Sequence, residues 1–358
     1  MTFLTRLGPL VALVSMIGPG AARAGVILLP GDIVVLNVAL SIGSPQSVLR
    51  VDPATGAQAQ IGQVHDATDL EVDELGRVYV LDDTGDEIVR IQPQSFDAMH
   101  PTNNQEVVWT IPSAAHQCGG QGFGRSNDGT LLIACSFGNE VLRVDPALYD
   151  ASNPGSNQAP VAQGGLVDAA HGVLDVAIDP VLGSAYVTTF TDLVEIEPAA
   201  FDPSDPSANQ LELKPLGTCC HYIAIDFERR LVLASQIAIG RITPSDPMNS
   251  DPLVNTTMLP MHAEDGSSVV PGGIAVERTG NYVVTDGALI NNISKIVRIF
   301  PATFDPKTDS VSVQTVSDAG LLDHPVSLAI MSAPEPAVAL SQLVAFGVIA
   351  LLTRRRAA

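Results

Sequence analysis

The chain has few aromatic and few basic residues. Aromatic residues make up 4% of its 358 residues, with a single tryptophan, and 18 lysines and arginines stand against 39 aspartates and glutamates. The formal net charge of −21 argues against nucleic acid and anionic membrane surfaces as partners, because polyanions bind through basic patches. It favours solubility and contact with cations or basic partners.

Sequence motifs of common catalytic classes are also missing. The chain has no Gly-x-Ser-x-Gly nucleophile elbow, no His-Glu-x-x-His zinc motif and no Cys-x-x-Cys-His haem attachment site. The glycine-rich residues 119–124 open a predicted strand rather than a helix, so they offer no helix N-terminus to a phosphate. These absences favour a non-catalytic role.

The N-terminus has the three parts of a secretory signal peptide. Arg6 precedes the apolar residues 7–17, helix-breaking Pro19-Gly20 follows, and Ala22-Arg23-Ala24 places small residues where a signal peptidase reads them. We therefore expect residues 1–24 to be a signal peptide, with Gly25 as the mature N-terminus. The chain is then exported.

The C-terminus carries a second targeting pattern. Pro334-Glu335-Pro336 is followed by the uncharged, apolar residues 337–353 and then by Arg354-Arg355-Arg356, which would stay on the cytoplasmic side of a membrane. This order resembles the PEP-CTERM sorting signal, which implies a membrane helix and cleavage near Pro-Glu-Pro by a transpeptidase of the exosortase type. An ordinary C-terminal membrane anchor is the alternative.

Residues 332–358 are accordingly predicted to be a sorting signal with one transmembrane segment. The protein is expected to be anchored by that segment and then to reach the cell surface or extracellular space. The resemblance implies an exosortase-type enzyme as a partner, and contact with the membrane only through the tail before processing.

Four cysteines in an exported chain are expected to form disulfides rather than metal sites. Cys118 and Cys135 flank a predicted hairpin turn at Asn127-Asp128-Gly129, so the two strands leaving the turn bring them opposite each other. We predict a bridge between this pair. Cys219 and Cys220 are adjacent, and their pairing is left open.

An internal repeat determines the predicted fold. The pattern apolar-Arg-apolar-x-Pro, with two weaker copies, occurs six times and ends in prolines that lie 40, 53, 52, 46 and 57 residues apart: Pro53, Pro93, Pro146, Pro198, Pro244 and Pro301. This spacing suits one four-stranded propeller blade per repeat. A second apolar pattern precedes most copies and is predicted to be the strand nearest the axis, at residues 70–73, 176–179, 223–226 and 274–277.

The two ends of the repeat region complete each other. The first copy, from Asp32, lacks an inner strand, whereas residues 325–330 form an inner-strand pattern with nothing after it. Pairing these ends would close the ring and remove two exposed sheet edges. We therefore predict an all-β, six-bladed β-propeller over residues 25–331, closed by its N- and C-terminal strands; a β-solenoid or a sandwich is the alternative.

The repeats resemble those of NHL, YWTD and gluconolactonase-like six-bladed propellers. The resemblance covers residues 31–331 and consists of degenerate patterns, so it implies a fold and transfers no catalytic residue.

Histidines occur where loops lead into the predicted inner strands. Five of the seven lie there: His65, His116, His171, His221 and His324. Two of them, His65 and His171, each precede an aspartate by four residues, Asp69 and Asp175. A ring of imidazoles would resemble the zinc arrangement of amidating-lyase propellers, and incidental surface histidines are the alternative.

The metal hypothesis names His65, His171, His324, Asp69 and Asp175 as ligands of a divalent cation, zinc or calcium. For calcium, the carboxylates of residues 202–206 and 246–251 lack the spacing of an EF-hand loop. The function predicted from the sequence is binding of a polysaccharide, protein or small ligand at the channel mouth without turnover. The alternative is a metal-dependent lyase or lactone hydrolase, and a purely structural matrix protein is a third class.

Overall fold

The computed structural model describes residues 25–38, 45–82, 87–111, 118–167, 172–216, 220–235, 238–244, 259–260, 271–286, 294–305, 310–318, 320–322 and 324–332. The predicted signal peptide and all of the tail beyond Ser332 lie outside these ranges. Within them, no helix has the length and apolar character needed to span a bilayer.

The described chain forms six four-stranded antiparallel sheets, the blades of a six-bladed β-propeller. Blade 1 contains β1 (Ile33–Val38), β2 (Gln46–Val51), β3 (Gln58–Val64) and β24 (His324–Ile330). Blade 2 contains β4 (Ala67–Val72), β5 (Val78–Asp82), β6 (Glu87–Ile91) and β7 (Gln105–Thr110). Blade 3 contains β8 (Gly120–Arg125), β9 (Leu131–Cys135), β10 (Glu140–Val144) and β11 (Gln158–Gln163).

The remaining blades have the same order of strands. Blade 4 contains β12 (Val173–Ile178), β13 (Ala185–Thr189), β14 (Asp192–Ile196) and β15 (Gln210–Pro215). Blade 5 contains β16 (Cys220–Ile225), β17 (Leu231–Ser235), β18 (Ala238–Ile242) and β19 (Leu259–Pro260). Blade 6 contains β20 (Pro271–Val276), β21 (Tyr282–Asp286), β22 (Lys295–Asp305) and β23 (Ser310–Asp318). Short 3₁₀ helices span Pro93–Ser95, Pro146–Leu148, Gly165–Val167 and Pro198–Ala200.

Blade 1 is built from both ends of the described chain. Strand β24 lies at the inner edge of this sheet and pairs antiparallel with β1, with Ile33 opposite Ile330 and Val38 opposite His324. The remaining two strands follow β1 by ordinary hairpin pairing. An inner strand from the C-terminal side therefore completes the sheet that begins at the N-terminal side.

The inner strands β4, β8, β12, β16, β20 and β24 surround a central channel. Small residues allow them to approach each other closely. A Cβ added at Gly122 would lie 2.3 Å from Oδ1 of Asp175, and one at Gly273 would lie 2.9 Å from the Cα of Ser327. The predicted inner strands of blades 2, 4, 5 and 6 overlap β4, β12, β16 and β20, and each prediction extends one residue beyond the end of its strand.

Apolar residues are buried between neighbouring blades rather than in one central core. Between blades 1 and 2, Val34 and Leu36 pack in the same cluster as Leu70 and Val80. Between blades 2 and 3, fully buried Trp109 shares a cluster with Phe123 and Ile133. Each blade is therefore stabilised mainly by its two neighbours, as the hydrophobic effect requires of sheets with two apolar faces.

A buried asparagine links each of three blades to the preceding one. The Nδ2 groups of Asn104, Asn157 and Asn209 each donate to two backbone carbonyls, one of them in the preceding blade: Ile61, Val108 and Val161. Each asparagine follows the third-strand proline by eleven residues and precedes a glutamine. The prolines belong to the predicted repeat pattern, whereas these asparagines do not.

We expect Asn157→Ala to destabilise the propeller by about 1–3 kcal/mol, because it removes two buried hydrogen bonds and leaves carbonyl groups without that donor. Asn153→Ala, at an exposed position of the same loop, is the matched control and should change stability by less than about 0.5 kcal/mol. Urea unfolding measures both. Equal effects of the two substitutions would contradict a role for Asn157 in joining the blades.

A disulfide joins Cys118 to Cys135, with the two Cα atoms 4.4 Å apart. It connects the segment that enters β8 to the last residue of β9, where Gly120 pairs with Cys135. The bridge lies at the end of the blade 3 hairpin that is opposite its turn. Cys219 and the side chain of Cys220 fall outside the described part, so their pairing is not addressed.

Candidate functional site

The six inner strands begin on one face of the propeller, which we call the mouth face. A cavity of about 390 Å³ opens there and is lined by residues of five blades, among them Gln46, Asp69, Gln121, Asp175 and Tyr222. A volume of this size is in the range of small-molecule sites. Below it the channel continues as a cavity of about 260 Å³, to which Asp69, Asp175 and Tyr222 also contribute. These three residues therefore line both the mouth and the channel.

Asp69 lies at the mouth and connects three blades. Its Oδ1 accepts hydrogen bonds from Leu70 N (2.9 Å) and Ser327 Oγ (2.6 Å), and its Oδ2 accepts one from Phe123 N (2.9 Å). Burial raises the pKa of Asp69 to about 6, although the three hydrogen bonds favour the charged form. The carboxylate is thus held in a fixed orientation at a site that disfavours its charge.

Asp175 occupies the equivalent position on β12. Its Oδ1 accepts from Val176 N (2.8 Å) and its Oδ2 from Ile223 N in the next blade (2.9 Å). Burial raises the pKa of Asp175 well above its ordinary value, and repulsion by Asp69 adds to the shift. Gly122 is required beside it, because any Cβ there would overlap the carboxylate.

The pKa values of two further titratable groups of the channel, Glu71 and Tyr222, are raised by burial and by repulsion from one or both of these aspartates. Burial, with repulsion from Asp175 and Asp69, raises the pKa of the Tyr222 phenol to about 12, so it stays neutral. Glu71 lies two residues further along β4, and burial followed by repulsion from Asp69 raises its pKa to about 8. Arg125 opposes that shift, but its guanidinium is paired with Glu74 at 2.9 and 2.8 Å.

The inner strands end on the opposite face, which we call the far face, and carboxylates there have cationic partners. There arginines neutralise them in the pairs Arg77–Asp73, Arg229–Asp179, Arg230–Asp226 and Arg298–Glu277. At the mouth, the described donors to Asp69 and Asp175 are all neutral amide or hydroxyl groups. Among the described residues, Asp69 and Asp175 therefore have no cationic hydrogen-bond donor, and a bound cation would favour their charged forms.

The predicted metal ligands are only partly brought together. Asp69 and Asp175 line the same cavity. His65 is exposed in the loop between β3 and β4, and His324 is 6% exposed at the start of β24. His116 and His171 lie outside the described residues, as does the side chain of His221. In the described ranges, no three His, Cys, Asp or Glu side chains are placed to hold a metal ion. The metal site, which includes His171, stays a prediction.

Glu71 and Tyr222 are site residues that the sequence analysis did not single out. Glu71 lies in the predicted inner strand of blade 2, two residues after Asp69 on the same side of β4. Tyr222 lies on β16, one residue before the predicted inner strand of blade 5. Both line the channel together with Asp69 and Asp175. A glutamate between the apolar residues Leu70 and Val72 of a predicted inner strand was the available signal for Glu71.

No protein-family model matches the chain, and no curated protein matches it. Among solved structures, it is similar to a protein of unknown function from Bacteroides caccae, with a TM-score of 0.55, 11% identity, and coverage of 84% of this chain and 98% of the other. It is also similar to a catalytically inactive virginiamycin B lyase from Staphylococcus aureus with quinupristin, with a TM-score of 0.51 and 11% identity, over 87% of this chain and 94% of the lyase. At these identities, the two likenesses show the fold alone.

Proposed function

We propose that the protein is an exported, exosortase-sorted propeller of the cell envelope or extracellular matrix that binds an ammonium-bearing ligand at the channel mouth without turnover. The signal-peptide pattern of residues 1–24 and the sorting pattern of residues 332–358 support export and sorting. The carboxyl groups of Asp69 and Asp175, whose described hydrogen-bond donors are neutral, support the ligand class.

The observation that carries this proposal is the convergence of Asp69, Asp175 and Tyr222 on one cavity. An ammonium group has three N–H donors and one positive charge, and it fits carboxylates that retain acceptor capacity. Asp175 accepts two hydrogen bonds and Asp69 three, whereas a carboxylate offers about four acceptor sites. The phenol of Tyr222 adds an aromatic face, to which cations are attracted.

Ligands of this class are amine-bearing envelope polysaccharides and lysine side chains of partner proteins. Both present an ammonium group, and that of lysine has a pKa near 10 and is charged at neutral pH. An acidic mouth also steers such cations toward it at low ionic strength. A nucleic acid or other polyanion would be repelled.

A binding role suits the way the carboxylates are held. Backbone amides from neighbouring blades fix both aspartates, so they act as oriented acceptors in a rigid ring. A metal-dependent lyase or lactone hydrolase would instead need a divalent ion at the mouth, and the experiment below distinguishes the two.

Calorimetric titration of the mature protein with 1,4-diaminobutane tests the proposal. We expect saturable binding that Asp175→Asn weakens by about tenfold or more, because a charge-assisted hydrogen bond contributes about 1.5–3 kcal/mol. Asp150→Asn, which removes the same charge from an exposed loop, is the matched control and should leave binding unchanged.

Two results would contradict the proposal. Equal weakening by Asp175→Asn and Asp150→Asn would mean that the diamine only screens the net charge. Stoichiometric zinc or calcium without diamine binding would favour the metal-dependent enzyme.

A further inference from the structure

Large apolar side chains are exposed on the far face of the propeller. Four of them occupy the turns between inner and second strands of blades 2, 4 and 5, and two more lie on the segment that precedes β1: Leu75, Val181, Leu182, Phe227, Ile27 and Leu29. Side chains of this kind scattered singly need no explanation, but a group on one face indicates a contact surface.

These residues surround the far end of the channel. The segment before β1 crosses this face, because Gly31 N donates to Met331 O and the Cβ of Leu28 lies 3.4 Å from the position of a Cβ at Gly76. Phe227 lines a cavity of about 530 Å³ together with Pro30 and Ser332. On the other side, Asn127 Nδ2 donates to Pro180 O beside Val181. The apolar side chains thus lie on the same face of the propeller, around the segment that precedes β1 and the far-face cavity.

The chain leaves the propeller at this same surface. Ser332 lines the far-face cavity, and only residues 333–336 separate it from the apolar residues 337–353. Four extended residues span at most about 14 Å. The headgroup layer on each side of a bilayer is about 5–8 Å thick. If residues 337–353 enter a bilayer, the connection keeps Ser332 within about 14 Å of the hydrocarbon core, so the far face lies at or just above the headgroups.

Charge favours the same orientation. Asp73, Asp179, Asp226 and Glu277 of the far face are paired with arginines, whereas the described donors to Asp69 and Asp175 at the mouth are neutral. The far face can therefore approach lipid phosphates with less repulsion than the mouth face.

We propose that, before the tail is cut, the far face of the propeller lies on the lipid bilayer, with Phe227, Leu182 and Leu29 in the headgroup layer and the ligand-binding mouth directed away from the membrane. This inference rests on the membrane-inserted tail of the proposed function. It adds a second, non-catalytic contact surface and explains why apolar residues are exposed around the point where the chain leaves the fold.

The test is quenching of tryptophan fluorescence by brominated lipids. The full mature chain is reconstituted into phosphatidylcholine vesicles, and the F227W and F190W variants are compared. Phe227 is 60% exposed on the far face, and Phe190 is 50% exposed on the mouth face, where its N–H donates to Gly172 O, so the substitutions are matched. The native Trp109 is fully buried and gives a constant background.

We expect brominated lipid to quench the F227W indole at least about twofold more than the F190W indole, since indoles settle at the bilayer interface. Equal quenching of both, or quenching of neither in protein that floats with the vesicles, would overturn the orientation. Protein that fails to float would also overturn it, because the tail would then not insert. A concentration-dependent blue shift of F227W without lipid would assign the surface to self-association instead. Diamine binding at the mouth is measured separately, so failure of either proposal leaves the other recognisable.

Discussion

Glu71→Gln is expected to stabilise the propeller by about 2–4 kcal/mol at pH 8 and to leave its stability unchanged at pH 4. Burial and repulsion by Asp69 raise the pKa of Glu71 to about 8 from an ordinary value of 4.5. Between these two values the folded protein holds a proton that the unfolded chain has lost. Stability due to this group is therefore fully present below pH 4.5 and is lost as the pH rises toward 8.

Glutamine resembles the protonated carboxyl and does not titrate, so it removes this loss. The matched control is Glu74→Gln. Burial alone would raise the pKa of Glu74, but hydrogen bonding to Arg125 outweighs it and lowers the pKa. The control should therefore destabilise the protein above pH 4.5, with the opposite sign. Urea unfolding between pH 4 and pH 8.5 measures the stability of both variants. If the free energy of unfolding of Glu71→Gln varies with pH in the same way as that of the native protein, the pKa of Glu71 is not raised in the folded state.

Loss of the Cys118–Cys135 disulfide is expected to cost about 3 kcal/mol of stability, because the bridge closes a loop with a sequence separation of 17 residues. Both cysteines are almost fully buried, so the double substitution Cys118→Ala with Cys135→Ala removes the bridge without burying a new polar group. Chemical unfolding of this variant should have a lower midpoint than the oxidised native protein.

A reducing agent supplies the control. It should lower the midpoint of the native protein to about that of the double variant, and the double variant should respond little to it. An oxidised native protein no more stable than the double variant would contradict the prediction. A large response of the double variant would instead point to Cys219 and Cys220.

The repeat pattern predicted the propeller because each blade uses the same local chemistry. A proline that lacks an N–H ends the third strand, as at Pro93 and Pro146, and an alternating apolar run forms the inner strand, as at β12. The inter-blade contacts were not predictable in the same way. Asn157 binds Val108 O across 49 residues, and nothing local to Asn157 identifies that carbonyl.

The sequence indicated where the candidate site lies better than it indicated which side chains form it. Loops entering the inner strands do form the mouth, and Asp69 and Asp175 do share its cavity. Two histidines named as metal ligands differ in exposure, because side-chain direction depends on loop conformation: His65 is exposed, whereas His324 is buried. The importance of Tyr222 follows from its distance to aspartates of other blades, which spacing in one blade cannot give.

The most direct test of the acidic mouth as a cation site is the number of protons released when 1,4-diaminobutane binds, measured by calorimetry at pH 7 in two buffers of different ionisation enthalpy. Burial raises the pKa of Glu71, in the channel below the mouth, to about 8 and raises the pKa of Asp175 above its ordinary value; a bound cation lowers both pKa values, so binding releases protons. The account predicts release of about half a proton or more per bound diamine. Binding without proton release, with the same affinity in Asp175→Asn, would contradict it.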